Sequence, residues 1–190
     1  TGPKAGGPLY LGRLLATRPN RLPDWACEQS GWPREQSLPG PTGESNTYSL
    51  APRGQVLCSA ITATGVEAQW SALKQTGNRA VWLDHPCLRQ WLGQGHIATN
   101  DQLVVSGEHP ERDAGAMRCD VALFEGDADA LQAFCARLAL RTGPLVTVQG
   151  RSTDALLAGN GYMLDRLLSE RSISVNTAAA GGNASLMTIG

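Results

Sequence analysis

The densest group of potentially reactive side chains in this sequence is the run Asp84-His85-Pro86-Cys87, which brings an acid, a base and a thiol together. Nucleophilic catalysis by cysteine needs a thiolate within reach of an imidazole that a carboxylate orients. Neighbours in sequence rarely meet this geometry, and Pro86 also fixes the local backbone. We therefore favour a helix cap followed by a packed cysteine. The alternative is an independent nucleotide-binding enzyme domain with a Cys/His site at Asp84, His85 and Cys87.

A second chemically suggestive group consists of five carboxylates that lie close together in sequence, a pattern that suggests a divalent cation. The run Asp127-Ala128-Asp129 lacks the alternating oxygen ligands, the central glycine and the terminal glutamate of a calcium loop. Acidic residues also stabilise the N-termini of helices. We interpret the group as solvated loop and helix-start charges and expect no metal site. Its members are Asp113, Asp120, Glu125, Asp127 and Asp129.

A dinucleotide site would need a glycine-rich turn directly after the first strand of an α/β fold, so that helix amides approach the pyrophosphate. The segment that follows Val56-Leu57-Cys58 contains the single glycine Gly65, and the sequence has neither GxGxxG nor GxxxxGK[ST]. The first-turn amides of the next helix can still hold an anion, but a structural cap by Thr64 is the simpler interpretation. We expect no catalytic residue and no cofactor contact in this chain.

Composition narrows the class of protein. The chain has 190 residues, a formal net charge of −1 and 42% hydrophobic residues, which suits one domain with a substantial core. The balanced charge argues against a nucleic-acid surface, because phosphate binding needs clustered Lys and Arg. No apolar run approaches the ~20 residues that span a bilayer. The five cysteines are scattered without a CxxC pair, which favours reduced thiols in a cytoplasmic protein, with Cys58 and Cys135 in the core.

Strand and helix signals alternate from Gln55 onwards, which predicts an α/β domain with a mostly parallel, Rossmann-like sheet and helices on both faces. Thr64 and Glu67 have the spacing of a capping box, and Gly77 supplies a helix stop. Asp127 is placed to cap a second helix, in which apolar residues recur at i, i+3, i+4 and i+7. That stripe is Leu131, Phe134, Cys135 and Leu138. The remaining predicted elements are strands at 56–60, 80–83, 103–105, 121–124 and 145–148, and helices at 86–92 and 161–168.

The segment 18–44 carries five prolines and three glycines. Proline removes an amide donor and fixes φ, so neither a regular helix nor a central strand is expected there, and we interpret this stretch as a linker. The abrupt, glycine-rich start without an initiator Met leads us to expect a piece of a longer polypeptide. At the other end, Ser172 to Asn176 alternate as a strand would, and no charged side chain occurs in 172–190. We expect this end to dock on a protein surface.

Three stretches resemble the proline utilization A family, bacterial enzymes that couple proline dehydrogenase to an aldehyde dehydrogenase. The most specific is the end of the chain, from Ser172 through Ala178-Ala179-Ala180-Gly181-Gly182-Asn183 to Gly190. Thr1 to Leu11 is similar to the final turn of the family's aldehyde dehydrogenase module. Asn46 to Cys58 is similar to the entry into the family's additional C-terminal domain, which resembles a degraded aldehyde dehydrogenase nucleotide domain.

The resemblance implies a noncatalytic structural and interaction domain. It would support the aldehyde dehydrogenase module of the same polypeptide and cover that module's active site and substrate-channelling cavity. The parent would use FAD and NAD, with no cofactor bound by this chain and no nucleic acid bound through this region. The expected location is the bacterial cytoplasm, with peripheral association of the parent at the inner membrane left open.

The same resemblance divides the chain into four parts. Residues 1–16 would end the aldehyde dehydrogenase module, 17–45 form a linker, 46–170 the Rossmann-like domain, and 171–190 a β-flap strand and covering tail. The docking residues that it implies are Val175, Asn176, Thr177, Gly181, Gly182, Asn183, Leu186 and Met187.

Overall fold

The computed structural model describes residues 7–12, 14–15, 20–95, 102–105 and 119–176, and these residues build two sheets with their helices. The first half contains α1 Pro8–Gly12, α2 Asp24–Cys27, β1 Arg34–Leu38, β2 Glu44–Pro52, β3 Gln55–Ser59, α3 Ala63–Thr76, β4 Arg79–Leu83 and α4 Pro86–Gly93. The second half contains β5 Gln102–Val105, β6 Cys119–Glu125, α5 Ala128–Ala139, β7 Thr147–Arg151, α6 Thr153–Leu157, a 3-10 turn at Leu164–Leu167 and β8 Leu168–Asn176.

The larger sheet has five parallel strands in the order β5-β4-β3-β6-β7. The chain runs outward from the central strand β3 to β4 and β5, and then returns to β6 and β7 on the other side of β3. In an open α/β sheet, such a reversal creates a crevice at the carboxyl ends of the two central strands, where ligands bind. The predicted Rossmann-like α/β fold is confirmed, and its switch point lies between β3 and β6.

Both faces of this sheet are covered by helices, as predicted. Successive strand residues point to opposite faces. In β3, Val56 and Cys58 therefore belong to the buried layer that contains α3 and α4, whereas Leu57 belongs to the layer that contains Phe134 and Leu138 of α5. The apolar runs in β3 and β6 follow from this arrangement, since a parallel strand buried on both faces has no solvent side.

The smaller sheet is antiparallel, in the order β1-β2-β8. The strand predicted from Ser172 to Asn176 is the second half of β8, which begins earlier, at Leu168, and is described to Asn176. The segment 17–45, predicted as a linker, contains α2 and β1 as well as irregular chain. The expectation of no regular helix in this segment was wrong for α2, a short helix of four residues between Pro23 and Pro33. Strand β1 contains no proline and is an edge strand of the sheet. The domain bounds themselves stay a prediction.

Two predicted elements are shifted in the structure. The strand expected at 145–148 lies at Thr147–Arg151, and Leu145 is 89% exposed. Within this strand, an added Cβ at Gly150 would lie 2.5 Å from Leu131 Cδ2, so the glycine lets α5 pack closely on β7. In place of the helix expected at 161–168, the structure has a 3-10 turn at Leu164–Leu167, followed directly by β8. A five-residue helix that was not predicted, α6, precedes it and is capped by the Ser152 hydroxyl, which accepts from the Ala155 amide.

Candidate functional site

A buried carboxylate occupies the switch point of the parallel sheet. Glu125 is the last residue of β6, and its side chain is fully buried. Its Oε2 atom accepts from the backbone amides of Ile61 and Thr62 at 2.8 and 3.0 Å. Its Oε1 atom accepts from the hydroxyls of Thr62 and Thr153 at 2.6 and 2.8 Å. Four donors from the starts of two helices, α3 and α6, thus surround one carboxylate, which offsets the cost of burying its charge.

The N-terminus of α3 is built around this contact, and here the prediction of the cap was wrong. Thr62, and not Thr64, is the N-cap: its Oγ1 accepts from the Gly65 amide at 3.0 Å and donates to Glu125. Thr64 already lies inside the helix, and Glu67 is exposed on its surface. The spacing of Thr64 and Glu67 matched a capping box. Thr62 is the cap instead, because its hydroxyl can accept from a helix amide and also donate to the buried Glu125 carboxylate. The predicted stop is confirmed, since Gly77 ends α3 with φ of 67°.

Gly65 lets the backbone of α3 approach the carboxylate. A Cβ at this position would lie 3.0 Å from Glu125 Oε1 and would overlap Oε2 and Cδ. Dinucleotide folds use glycine near a helix N-terminus for the same physical reason, so that the backbone can come close to the pyrophosphate. Here the space and the amide donors that a pyrophosphate would take are occupied by Glu125. The residues present therefore do not fit an NAD phosphate group in this chain.

A second layer of polar contacts supports the end of β6. The Gln69 side-chain amide donates to Ser59 O at 2.9 Å and to the Tyr162 hydroxyl at 3.0 Å. Tyr162 in turn donates to Phe124 O at 3.0 Å. Burial is the main factor that raises the pKa of Tyr162, so its hydroxyl stays protonated as this donor requires. These contacts join β3, α3 and β6 and hold the carboxyl ends of both central strands in place.

The structure gives the acid and the base at the start of α4 separate contacts. The predicted helix cap is supplied by His85, whose Nδ1 accepts from the Cys87 amide at 3.3 Å. Asp84 accepts from Arg89, whose Nε donates to it at 2.7 Å. Burial, followed by the nearby Glu125 charge, raises the pKa of the Cys87 thiol. A catalytic thiol needs the opposite shift.

The acidic group separates into different environments in the structure. Asp127 caps α5, as predicted, with its Oδ1 accepting from the Ala130 amide at 2.8 Å. The interpretation of Glu125 as a solvated charge was wrong, because it is buried at the switch point. Asp113 lies outside the described residues. The sequence did contain a usable signal for Glu125: an acid that directly ends a buried parallel strand must lie at the sheet edge where helix N-termini gather.

The cysteine predictions were partly wrong. Cys58 is buried in β3, as expected, but Cys135 on α5 is exposed. Phe134 and Leu138 bury the inner stripe of that helix, and Cys135 lies beside this stripe on the outer surface. The spacing of apolar residues correctly predicted helix α5, but the prediction made its buried face too wide by including Cys135.

The predicted docking strand has an outer edge that no described strand covers. One edge of β8 pairs with β2, for example Val175 with Ser45 and Asn176 with Glu44. Val175 is 50% exposed and Asn176 is exposed. Such an edge can pair with another strand. The other predicted docking residues, Thr177, Gly181, Gly182, Asn183, Leu186 and Met187, lie outside the described residues.

Comparison with curated proteins identifies one family. The chain is 38% identical, over an alignment 232 residues long, to the bifunctional protein PutA of Escherichia coli K12. The match covers 100% of this chain and 17% of that protein. The corresponding protein of Rhizobium meliloti is 36% identical over 220 residues, covering 100% of this chain and 18% of the relative. The chain thus spans less than a fifth of the length of the curated relatives it matches.

The solved structures support the fold. A mutant of Bradyrhizobium japonicum proline utilization A superposes with a TM-score of 0.51 and 22% identity, over 62% of this chain and 13% of that one. No protein-family model matches the chain. In the part of the chain that the structure describes, no helix has the length and apolar character needed to cross a bilayer. Over its whole length, the chain belongs to the PutA family of bifunctional proteins, of which it represents one region.

Proposed function

We propose that this chain is the C-terminal region of a bifunctional proline-oxidising enzyme and has a noncatalytic role there. In this proposal it supports the aldehyde dehydrogenase module of the same polypeptide and covers that module's active site and the substrate-channelling cavity. The parent enzyme would use FAD to oxidise proline and NAD to oxidise glutamate semialdehyde to glutamate, in the bacterial cytoplasm. Residues 1–16 would be the end of the aldehyde dehydrogenase module, and 171–190 the flap strand and covering tail.

The observation that carries the proposal is the filled switch point. A Rossmann-like sheet binds its nucleotide at that place, and in this chain Glu125 takes up the amides of Ile61 and Thr62 and lies against Gly65. A negatively charged phosphate would have to displace a buried carboxylate that already has four donors. A fold that retains the layout of a nucleotide domain without space for the nucleotide fits a supporting role.

The C-terminal strand supports the interaction part of the proposal. Strand β8 leaves the domain with one edge that no described strand covers, an exposed Val175, and a continuation of the chain that carries no side-chain charge up to Gly190. Backbone pairing along such an edge provides affinity without a deep pocket. We therefore place the contact with the aldehyde dehydrogenase module along β8 and 177–190.

The test removes 178–190 from the full-length parent and measures the two activities separately. We expect loss of aldehyde dehydrogenase activity and of coupled proline-to-glutamate flux, with proline dehydrogenase activity unchanged as the internal control. A synthetic peptide of residues 178–190, added in trans, is expected to restore part of the lost activity. Unchanged flux in the truncated enzyme would refute the covering role.

The rival hypothesis of an independent nucleotide-binding enzyme domain needs a separate measurement. A ligand that binds only the native state raises the stability of a protein. We expect NAD to leave the thermal stability of this chain unchanged. A dose-dependent rise in Tm would contradict the noncatalytic role and would support nucleotide binding.

A further inference from the structure

We propose that Glu125 is an internal ligand that closes a latent oxyanion site, and that a smaller side chain at this position makes the domain bind small carboxylates such as acetate. The inference shares with the proposed function the premise that no dinucleotide occupies the switch point. It adds that the hydrogen-bond donors around Glu125 can still bind an anion when the Glu125 side chain is shortened. In the native chain, the carboxylate of Glu125 is itself the anion that these donors bind.

The donor set is organised independently of the side chain that it binds. The Ile61 and Thr62 amides are held by the turn into α3, because the Thr62 hydroxyl accepts from Gly65 and its carbonyl accepts from Val66 at 3.0 Å. Thr153 is fixed at the start of α6, next to the Ser152 cap. Truncation of Glu125 would leave these donors directed at one small, water-poor space.

The chemistry of this space selects a carboxylate. Each oxygen of Glu125 receives two donors, the pattern that suits a planar two-oxygen anion. The site lies at the N-terminus of the 14-residue helix α3, whose dipole also favours negative charge. Replacement of Glu125 by alanine removes a fragment that corresponds to acetate. Acetate can therefore restore both the charge and the lost volume, while the absence of a Cβ at Gly65 keeps the space open.

The test compares Glu125→Ala with two controls in the intact polypeptide. Glu67→Ala removes an exposed carboxylate from the same helix, and Glu125→Gln keeps the volume filled while replacing one oxygen by an amide donor. Amide hydrogen exchange is followed by mass spectrometry in peptides that cover 60–66, with sodium acetate or sodium chloride at equal ionic strength near neutral pH. This readout is local and does not use either enzymatic activity.

We expect faster exchange at 60–66 in Glu125→Ala than in the native chain, and a return toward native protection in acetate. Protection should rise about tenfold when acetate is at about ten times its dissociation constant. Neither control should respond to acetate. Inorganic phosphate serves as a second probe, and a response to it as well would extend the site to tetrahedral anions.

Two results would overturn the inference. One is native protection at 60–66 in Glu125→Ala without any added anion, since the Ile61 and Thr62 amides would then not depend on the carboxylate as their acceptor. The other is increased exchange that acetate does not reverse, whatever the response to phosphate. If Glu125→Ala does not fold in chloride, its refolding yield is measured in acetate, and equal failure in both salts also overturns the proposal. A negative result here leaves the tail-truncation assay valid, because that assay concerns 178–190 and not the switch point.

Discussion

Replacement of Gly65 by alanine tests the central feature of this structure, the close contact between α3 and Glu125. In an ordinary helix interior, Gly→Ala stabilises by about 1 kcal/mol. At Gly65 the added methyl group would overlap the Glu125 carboxylate, which is buried and cannot move into solvent. The carboxylate has to withdraw from the Ile61 and Thr62 amides, and a hydrogen bond to a charged group contributes about 1.5–3 kcal/mol. The net expectation is a destabilisation of about 2–5 kcal/mol.

The measurement is urea unfolding of the two variants Gly65→Ala and Gly93→Ala, followed by tryptophan fluorescence. Gly93 ends α4, and an added Cβ there meets nothing within 4 Å, so its replacement should change stability by no more than about 1 kcal/mol. The cost at Gly65 should also largely disappear in a Glu125→Ala background, because the clashing group is then absent. Equal effects of the two glycine replacements, or strictly additive effects of Gly65→Ala and Glu125→Ala, would refute the reasoning.

Two further predictions concern ionisation and accessibility. Burial and the Glu170 carboxylate raise the pKa of Tyr48 above its ordinary value of about 10, so its contribution to stability is fully present below pH ~10 and is lost as the pH rises. The free energy of unfolding of Tyr48→Phe, measured with urea, should therefore fall less steeply than that of the native chain as the pH rises above ~10. Identical pH dependences of the two proteins would contradict the assigned environment of Tyr48. Iodoacetamide should alkylate the exposed Cys135 in the native protein. The buried Cys58 and Cys119, whose thiol pKa values are raised by burial, should react only after unfolding, as peptide mass spectrometry would reveal. Native labelling of Cys58 would contradict the described core.

Local features were predictable because their determinants lie within a few residues of one another. Asp127 reaches the Ala130 amide three positions later, and Gly77 ends α3 through its own left-handed backbone. The alternation of apolar strands and amphipathic helices likewise fixed the α/β class. Errors began where the tertiary surroundings decide between similar signals. Thr62 replaced Thr64 as the cap, and Cys135 lies outside the buried stripe of α5.

The candidate site around Glu125 is one of the features that the tertiary surroundings decide. From the sequence itself follow the family resemblance, the absence of a glycine-rich phosphate loop, and an uncharged C-terminal segment that begins as a strand. The role of Glu125 depends on partners 64, 63 and 28 residues away, which only the order of the parallel strands brings together. In isolation it is one acid among several after an apolar run. The fold places it at the one edge where two central strands end and a helix begins, and there its charge is buried and bound.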